Sequence, residues 1–145
     1  MIEYRNILCA VDFGDEAEII IEKAADLAKK YAAKLSLVHV VEYIPIDFAN
    51  ELMLPQQQEI EEQLVVRAKE SLSKLAANLV VAGVDTAVLV GSTKIEIIEF
   101  ARSSSADLII MGRHGRHGIS RLLGSTANSV LHHAPCDVLA INLNR

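Results

Sequence analysis

The stretch of this chain with the most chemical potential is GRHGRHGISRLLGSTANSVLHHA, which begins at Gly112. Gly112, Gly115 and Gly118 punctuate its first half, and Gly124 stands just before a run with helical character. Glycine takes up positive φ and lets other groups approach the backbone. A glycine-rich connection from strand to helix turns main-chain N–H groups toward one point. The helix adds its positive N-terminal end, and the combination suits a phosphate. Ser125 and Thr126 bring hydroxyl donors to where a phosphate oxygen would sit, although both residue types also cap helices with no ligand present. Between Met111 and Arg121 there are three arginines, two histidines and no acid, in a chain of formal net charge −5. A local basic patch on an acidic protein fits a small anion, or is a solvated loop. The overall acidity disfavours nucleic acid, whose binding needs a basic face.

Such a loop acts only if the elements around it hold it in place. Strand and helix patterns alternate along the 145 residues. Asn6–Val11 reads as a first strand ending at Asp12. Apolar positions from Ala17 to Tyr31 recur at helical spacing, with Asp15 as N-cap. Leu35–Val41 is a second strand, and Glu42–Pro55 a long loop. A helix with one apolar stripe is predicted from about Gln56 to Ala82, ended by Gly83. Ala87–Val90 is a third strand. Thr93 and Glu96 form a capping box for the helix that follows. Asp107–Met111 is a fourth strand, Gly112–Leu123 the loop, Ser125–His133 a helix closed by Pro135, and Asp137–Leu143 the last strand. The alternation predicts one α/β domain over residues 1–145. Its sheet would be five-stranded, mainly parallel and doubly wound, with helices on both faces. The expected strand order is 3-2-1-4-5, which puts strands 1 and 4 at the switch point, where ligands bind outside the carboxyl ends of the strands.

The glycine-rich loop after strand 4 and Asp12 after strand 1 both fall there, and Val40 lies nearby on strand 2. An apolar slot between strands 1 and 2 would hold a flat base, its edge meeting main-chain groups of Val11 and Val40. Asp12 suits a ribose hydroxyl or a nucleotide-bound Mg2+; its alternative is a turn acid before the first helix. Arg113 or His114 is placed to touch a phosphate. No GxxxxGK[ST] is present, nor a GxGxxG after strand 1, which argues against a Walker-type NTPase and a dinucleotide site.

Other features are plainer. No uncharged apolar run reaches the ~20 residues of a membrane span. The first residues read as a strand rather than a signal peptide, so the expected location is the cytoplasm. Cys9 and Cys136 read as buried, reduced thiols. His114, His117, His132 and His133 lack the acids or cysteines of a metal site, and neighbouring His132 and His133 diverge on a helix. His39 reads as a core histidine. Strand 5 is an apolar edge whose pairing with its twin would give an antiparallel dimer.

The sequence resembles the universal stress protein family across essentially its whole length. The resemblance is carried by NILCAVDF, LSLVHVVE, VGSTKIEIIEFARSSSADLIIMGRHG and GISRLLGSTANSVLHHAPCDVLAINL, in that order. It implies a Rossmann-like αβ fold and, usually, a homodimer. ATP-binding members carry G-x2-G-x9-G-[ST]. Gly112 and Gly115 match its first two glycines, and Gly124 and Ser125 its end, but only eight residues, Arg116–Leu123, separate Gly115 from Gly124. Shortening a surface loop by one residue costs little, so nucleotide binding remains the expectation. The resemblance places Ala10, Val11 and Asp12 beside base and ribose, and Val40 near the adenine. It places Met111, Gly112, Gly115, Gly124, Ser125 and Thr126 around ribose and phosphates. The expected ligand is ATP, with AMP and ADP as alternatives and Mg2+ as companion. The expected role is regulatory, in stress response, with slow hydrolysis at most. The competing readings are a nucleotide-free dimeric interaction protein and an enzyme of adenylyl or phosphate chemistry.

Overall fold

The computed structural model describes residues 3–42, 54–113 and 123–143. Nine elements follow one another: β1 (Asn6–Ala10), α1 (Ala17–Tyr31), β2 (Lys34–Glu42), α2 (Leu54–Ala77), β3 (Asp85–Gly91), α3 (Thr93–Ser103), β4 (Leu108–Gly112), α4 (Ser125–His133) and β5 (Asp137–Ile141). The strands form one sheet in the order β3-β2-β1-β4-β5, with every neighbouring pair parallel. This is the expected order. The chain winds outward from β1 to β3, then crosses to β4 on the other side of β1.

Side chains alternate across a strand, and the sheet therefore feeds two cores. Ile7, Cys9, Leu35, Leu37 and Ile110 face Ile21 and Ala24 of α1 and Leu72 of α2. Leu8, Val38, Ile109 and Met111 face Ile97 and Ala101 of α3 and Val130 of α4. Strands buried on both faces need no polar alternation, which is why NILCA and LIIMG are nearly all apolar. In α1 the buried residues Ala17, Ile20, Ile21, Ala24, Ala25 and Ala28 hold strict helical spacing. At the amino edge the Asp107 carboxylate accepts the N–H groups of Arg5 (2.8 Å) and Asn6 (3.1 Å), bracing β1 against β4 at the end opposite the glycine-rich segment.

Several boundaries differ from the pattern reading. The residue before α1 is Glu16, with no side-chain cap, so Asp15 is not the N-cap; the turn ahead of the helix is held by Asp12 instead. α2 begins at Leu54 and takes Pro55 into its first turn, where a missing N–H costs nothing. It ends at Ala77, not Ala82. Gly83, at φ +72°, serves the turn into β3 rather than the helix end. The capping box at Thr93 is also displaced. Ser92 is the N-cap, without a side-chain bond, and the Thr93 hydroxyl donates to Glu42 at 2.8 Å. β5 stops at Ile141, two residues before Leu143. Most of the predicted Glu42–Pro55 loop lies outside the described residues.

Candidate functional site

β4 ends at Gly112, in register with Ile141 of β5. The next N–H, of Arg113, donates to the Ile141 carbonyl at 2.8 Å, and the Arg113 carbonyl accepts the Gly124 N–H at 2.9 Å. The first bond anchors the loop's entrance to β5, and the second ties its exit to that entrance, so Gly112 and the start of α4 lie side by side. Gly124 is the N-cap of α4 in extended backbone, and no side chain caps the helix. Ser125 and Thr126 are therefore the first helical residues and not caps. The first intrahelical bond runs from the Asn128 N–H to the Gly124 carbonyl (2.9 Å). The N–H groups ahead of Asn128 belong to the helix's unpaired first turn, at the positive end of its dipole.

That end opens on a cleft of about 600 Å³ across the carboxyl edge of the sheet. Of the predicted site residues, Ala10, Val11, Asp12, Val40, Met111, Gly112, Gly124, Ser125 and Thr126 line it together. Arg113 does not figure among the described lining residues; its part here is the main-chain tie. His114 and Gly115, and most of the eight-residue spacer, lie outside the described residues.

The segment after β1 is held by a sequence of local contacts. Asp12 Oδ1 accepts the Gly14 N–H at 2.9 Å, so the turn role foreseen as its alternative is the one the geometry records. Phe13 between them has φ +58°, a left-handed conformation that costs a non-glycine residue roughly 1–2 kcal/mol. Its ring lies 4.3 Å from that of His39, centroid to centroid. His39 Nδ1 donates to the Val11 carbonyl at 2.6 Å, which places the ring proton of the neutral form on Nδ1. His39 is thus half-buried at the cleft wall and not a core histidine. The Val11 N–H donates to the Val38 carbonyl at 2.8 Å. The Val11 N–H is therefore engaged within the sheet. Main-chain groups alternate sides along a strand. Val40, two residues beyond Val38, turns its N–H and C=O to the same side, past the end of β1 and into the cleft.

Sequence reasoning did not single out the remaining wall. Thr93 and Glu42 join the start of α3 to the end of β2 by their hydrogen bond, 51 residues apart in sequence. Leu64, Arg67, Ala68 and Ser71 of α2 also line the cleft. Leu64 and Ala68 sat in the predicted apolar stripe; their polar neighbours on the same face, Arg67 and Ser71, were the available signal. Cys9 is buried as expected, whereas Cys136 is only half-buried. Among the described residues no helix is long and apolar enough to cross a membrane.

Residues 3–142 match the model of the universal stress protein family. The chain belongs to the universal stress protein family. Two universal stress protein A homologs of Coxiella burnetii are similar to it throughout. Homolog 1 is 37% identical over 138 residues, spanning 95% of this chain and 96% of the relative. Homolog 2 is 38% identical over 144 residues, spanning 99% and 98%. Among solved structures, the universal stress protein UspA of Lactobacillus plantarum superposes with a TM-score of 0.85 at 27% identity, covering 98% of this chain and all of that one. More distant universal stress proteins share the fold and were solved with adenine nucleotides. One is a complex with cAMP (TM-score 0.68, 20% identity), and one, from Archaeoglobus fulgidus, a complex with dAMP (0.61, 21%). A third, from Arabidopsis thaliana, has AMP bound (0.58, 18%).

Proposed function

We propose that this universal stress protein is a cytoplasmic stress-response regulator that binds an adenine nucleotide, ATP in the first instance, in the cleft at the carboxyl edge of its sheet. The observation that carries this reading is the uncapped N-terminus of α4, tied beside Gly112 and open to the cleft. Unpaired first-turn N–H groups, the helix dipole and the Ser125 and Thr126 hydroxyls together suit phosphate oxygens. The Val40 main chain meets the base edge, between the side chains of Ala10, Met111 and Ile97. Asp12 faces the ribose. The liganded relatives support the choice of adenine. Among the described residues no three His, Cys, Asp or Glu side chains gather as a metal site; Mg2+ would enter this reading as the counter-ion of the phosphates, with Asp12 the described carboxylate that lines the cleft on that side. Hydrolysis would need an in-line water, a base to position it and charge stabilisation. The reading assigns these roles to no residue, and turnover is expected to be slow at most.

Calorimetric titration of ligand-free protein with ATP, ADP and AMP, with and without magnesium, tests the proposal. A saturable heat and a rise in Tm with ligand concentration are expected. No heat and no thermal shift with any of the three would favour the nucleotide-free interaction protein.

The same protein is proposed to act as a homodimer paired through β5. That strand is a sheet edge, and Leu139 on it is 40% exposed. An apolar edge invites pairing, and a two-fold axis would bring the two β5 strands together antiparallel. Light scattering at micromolar concentration should give twice the chain mass; a monomer there would sink this assignment.

A further inference from the structure

Among the described residues, the first half of α2 contributes no side chain to either core. Among the described side chains of α2 the first that is buried is Ala68, with Leu72 one turn on; those from Pro55 to Arg67 are all exposed or half-buried. α2 carries the chain back from the carboxyl end of β2 to the amino end of β3, so its N-terminal half stands beyond the carboxyl edge of the sheet. Residues 54–67 span roughly 20 Å at the helical rise. Leu64, Arg67 and Ser71 lie on the face that lines the cleft. α2 packs on β2 and β3, on the Val40 side of the cleft, and away from β4 and α4, where Gly112 and Ser125 lie. Among the described residues Arg67 makes no ion pair. A cation on this wall sits on the β2 side of the cleft, with Val40, and the proposed phosphate end is on the β4 side.

We propose that Arg67 stacks its guanidinium on the purine of the bound nucleotide, and that this contact steadies the N-terminal half of α2, making the helix a reporter of occupancy. The inference rests on the nucleotide binding proposed above. A guanidinium is planar, weakly hydrated and well suited to aromatic faces. A helical segment whose side chains are mostly exposed gains little from packing and is marginal in water, and such segments open locally at low cost. A ligand that touches only the ordered form of α2 shifts its population toward that form.

The test titrates wild type and Arg67→Ala with adenosine and with ATP, and follows amide hydrogen exchange in both. Arg67 is exposed and alanine is the better helix former, so the variant folds. Its affinity for both ligands should fall by the same factor, about two- to thirty-fold. Wild type should gain protection over residues 54–67 on binding, and the variant should gain much less. A loss confined to ATP would move Arg67 to the phosphates and overturn the stacking. Unchanged affinity for both ligands would overturn the contact itself. Binding by wild type without new protection in α2 would overturn the reporter role alone. Failure of wild type to bind either ligand would remove the nucleotide reading and this inference with it.

Discussion

Ser125→Asp should lower the affinity for ATP by about thirty- to a thousand-fold, leave adenosine binding within a few-fold, and leave the fold no less stable. Ser125 is the first residue of α4, exposed at the cleft beside Gly112. A carboxylate there would meet a phosphate at close range. Two like charges about 4 Å apart repel by roughly 4 kcal/mol at the effective dielectric of a protein surface. Allowing for screening, about 2–4 kcal/mol is lost, and each 1.4 kcal/mol is about tenfold in affinity. The same carboxylate suits the positive end of the helix dipole, worth about 0.3–1 kcal/mol. The exposed position asks little desolvation of it. Stability and phosphate affinity should therefore move in opposite directions, which a general loss of structure could not produce. Calorimetry with ATP and adenosine, beside a urea titration of each protein, reads all three quantities. Equal loss for both ligands would mean that the phosphates do not sit on α4. Unchanged ATP affinity would mean that the cleft does not receive them at all.

Sheet order and the placement of the two ends of the glycine-rich loop, at Gly112 and Gly124, were legible because both follow from short-range patterns. Runs such as NILCA and LIIMG mark buried parallel strands, helical stripes lie between them, and the alternation leaves few topologies. The strand order then places the ends of β1 and β4 together, and with them Asp12 and Gly112. Contacts made across long stretches of chain left no such trace. The Thr93 hydroxyl bonds Glu42 and the His39 ring bonds the Val11 carbonyl, over 51 and 28 residues. No periodicity announces either pair, and each displaced a local reading: a capping threonine in one, a core histidine in the other. The Val11 N–H could not be assigned from sequence because β1 stops at Ala10, yet the parallel register reaches one bond further, to Val38. Cap assignments failed for a related reason. Asp12, Asp15 and Glu18 all suit a helix start by type, and only the fold decides that Asp12 takes the Gly14 N–H. Arg67 was invisible because α2 looks like any amphipathic helix until its first half is seen to run past the sheet.

Alkaline conditions should expose the other large energy term in this fold, the thiol of Cys9. Cys9 sits at the centre of the sheet, between Leu37 of β2 and Ile110 of β4, and is fully buried. Burial penalises the thiolate and pushes the Cys9 pKa up from 9.0 to about 12. Below pH 9 the thiol is protonated in both folded and unfolded chains, and its contribution is fully present. Above pH 9 the unfolded chain releases the proton while the native protein retains it, so stability falls as pH rises toward 12. The loss approaches 1.4 kcal/mol per pH unit, on the order of 4 kcal/mol across the window, against a total of about 5–15 kcal/mol for an ordinary domain. Lysines and tyrosines titrate in the same range, so the readout is a difference. Urea midpoints of wild type and Cys9→Ala are compared at several pH values from 8 to 11. The variant leaves a small cavity, a roughly constant cost of order 1 kcal/mol that favours wild type at pH 8. That advantage should shrink and then reverse as the pH climbs. Cys136 is only half-buried, and its thiol, raised by burial and then by Asp137, is present in both proteins and cancels. A stability difference that stays flat from pH 8.5 to 11 would show that Cys9 ionises in the native protein as readily as in the unfolded chain. That outcome would require solvent to reach the middle of the sheet between β1 and β4, next to the cleft at its carboxyl edge.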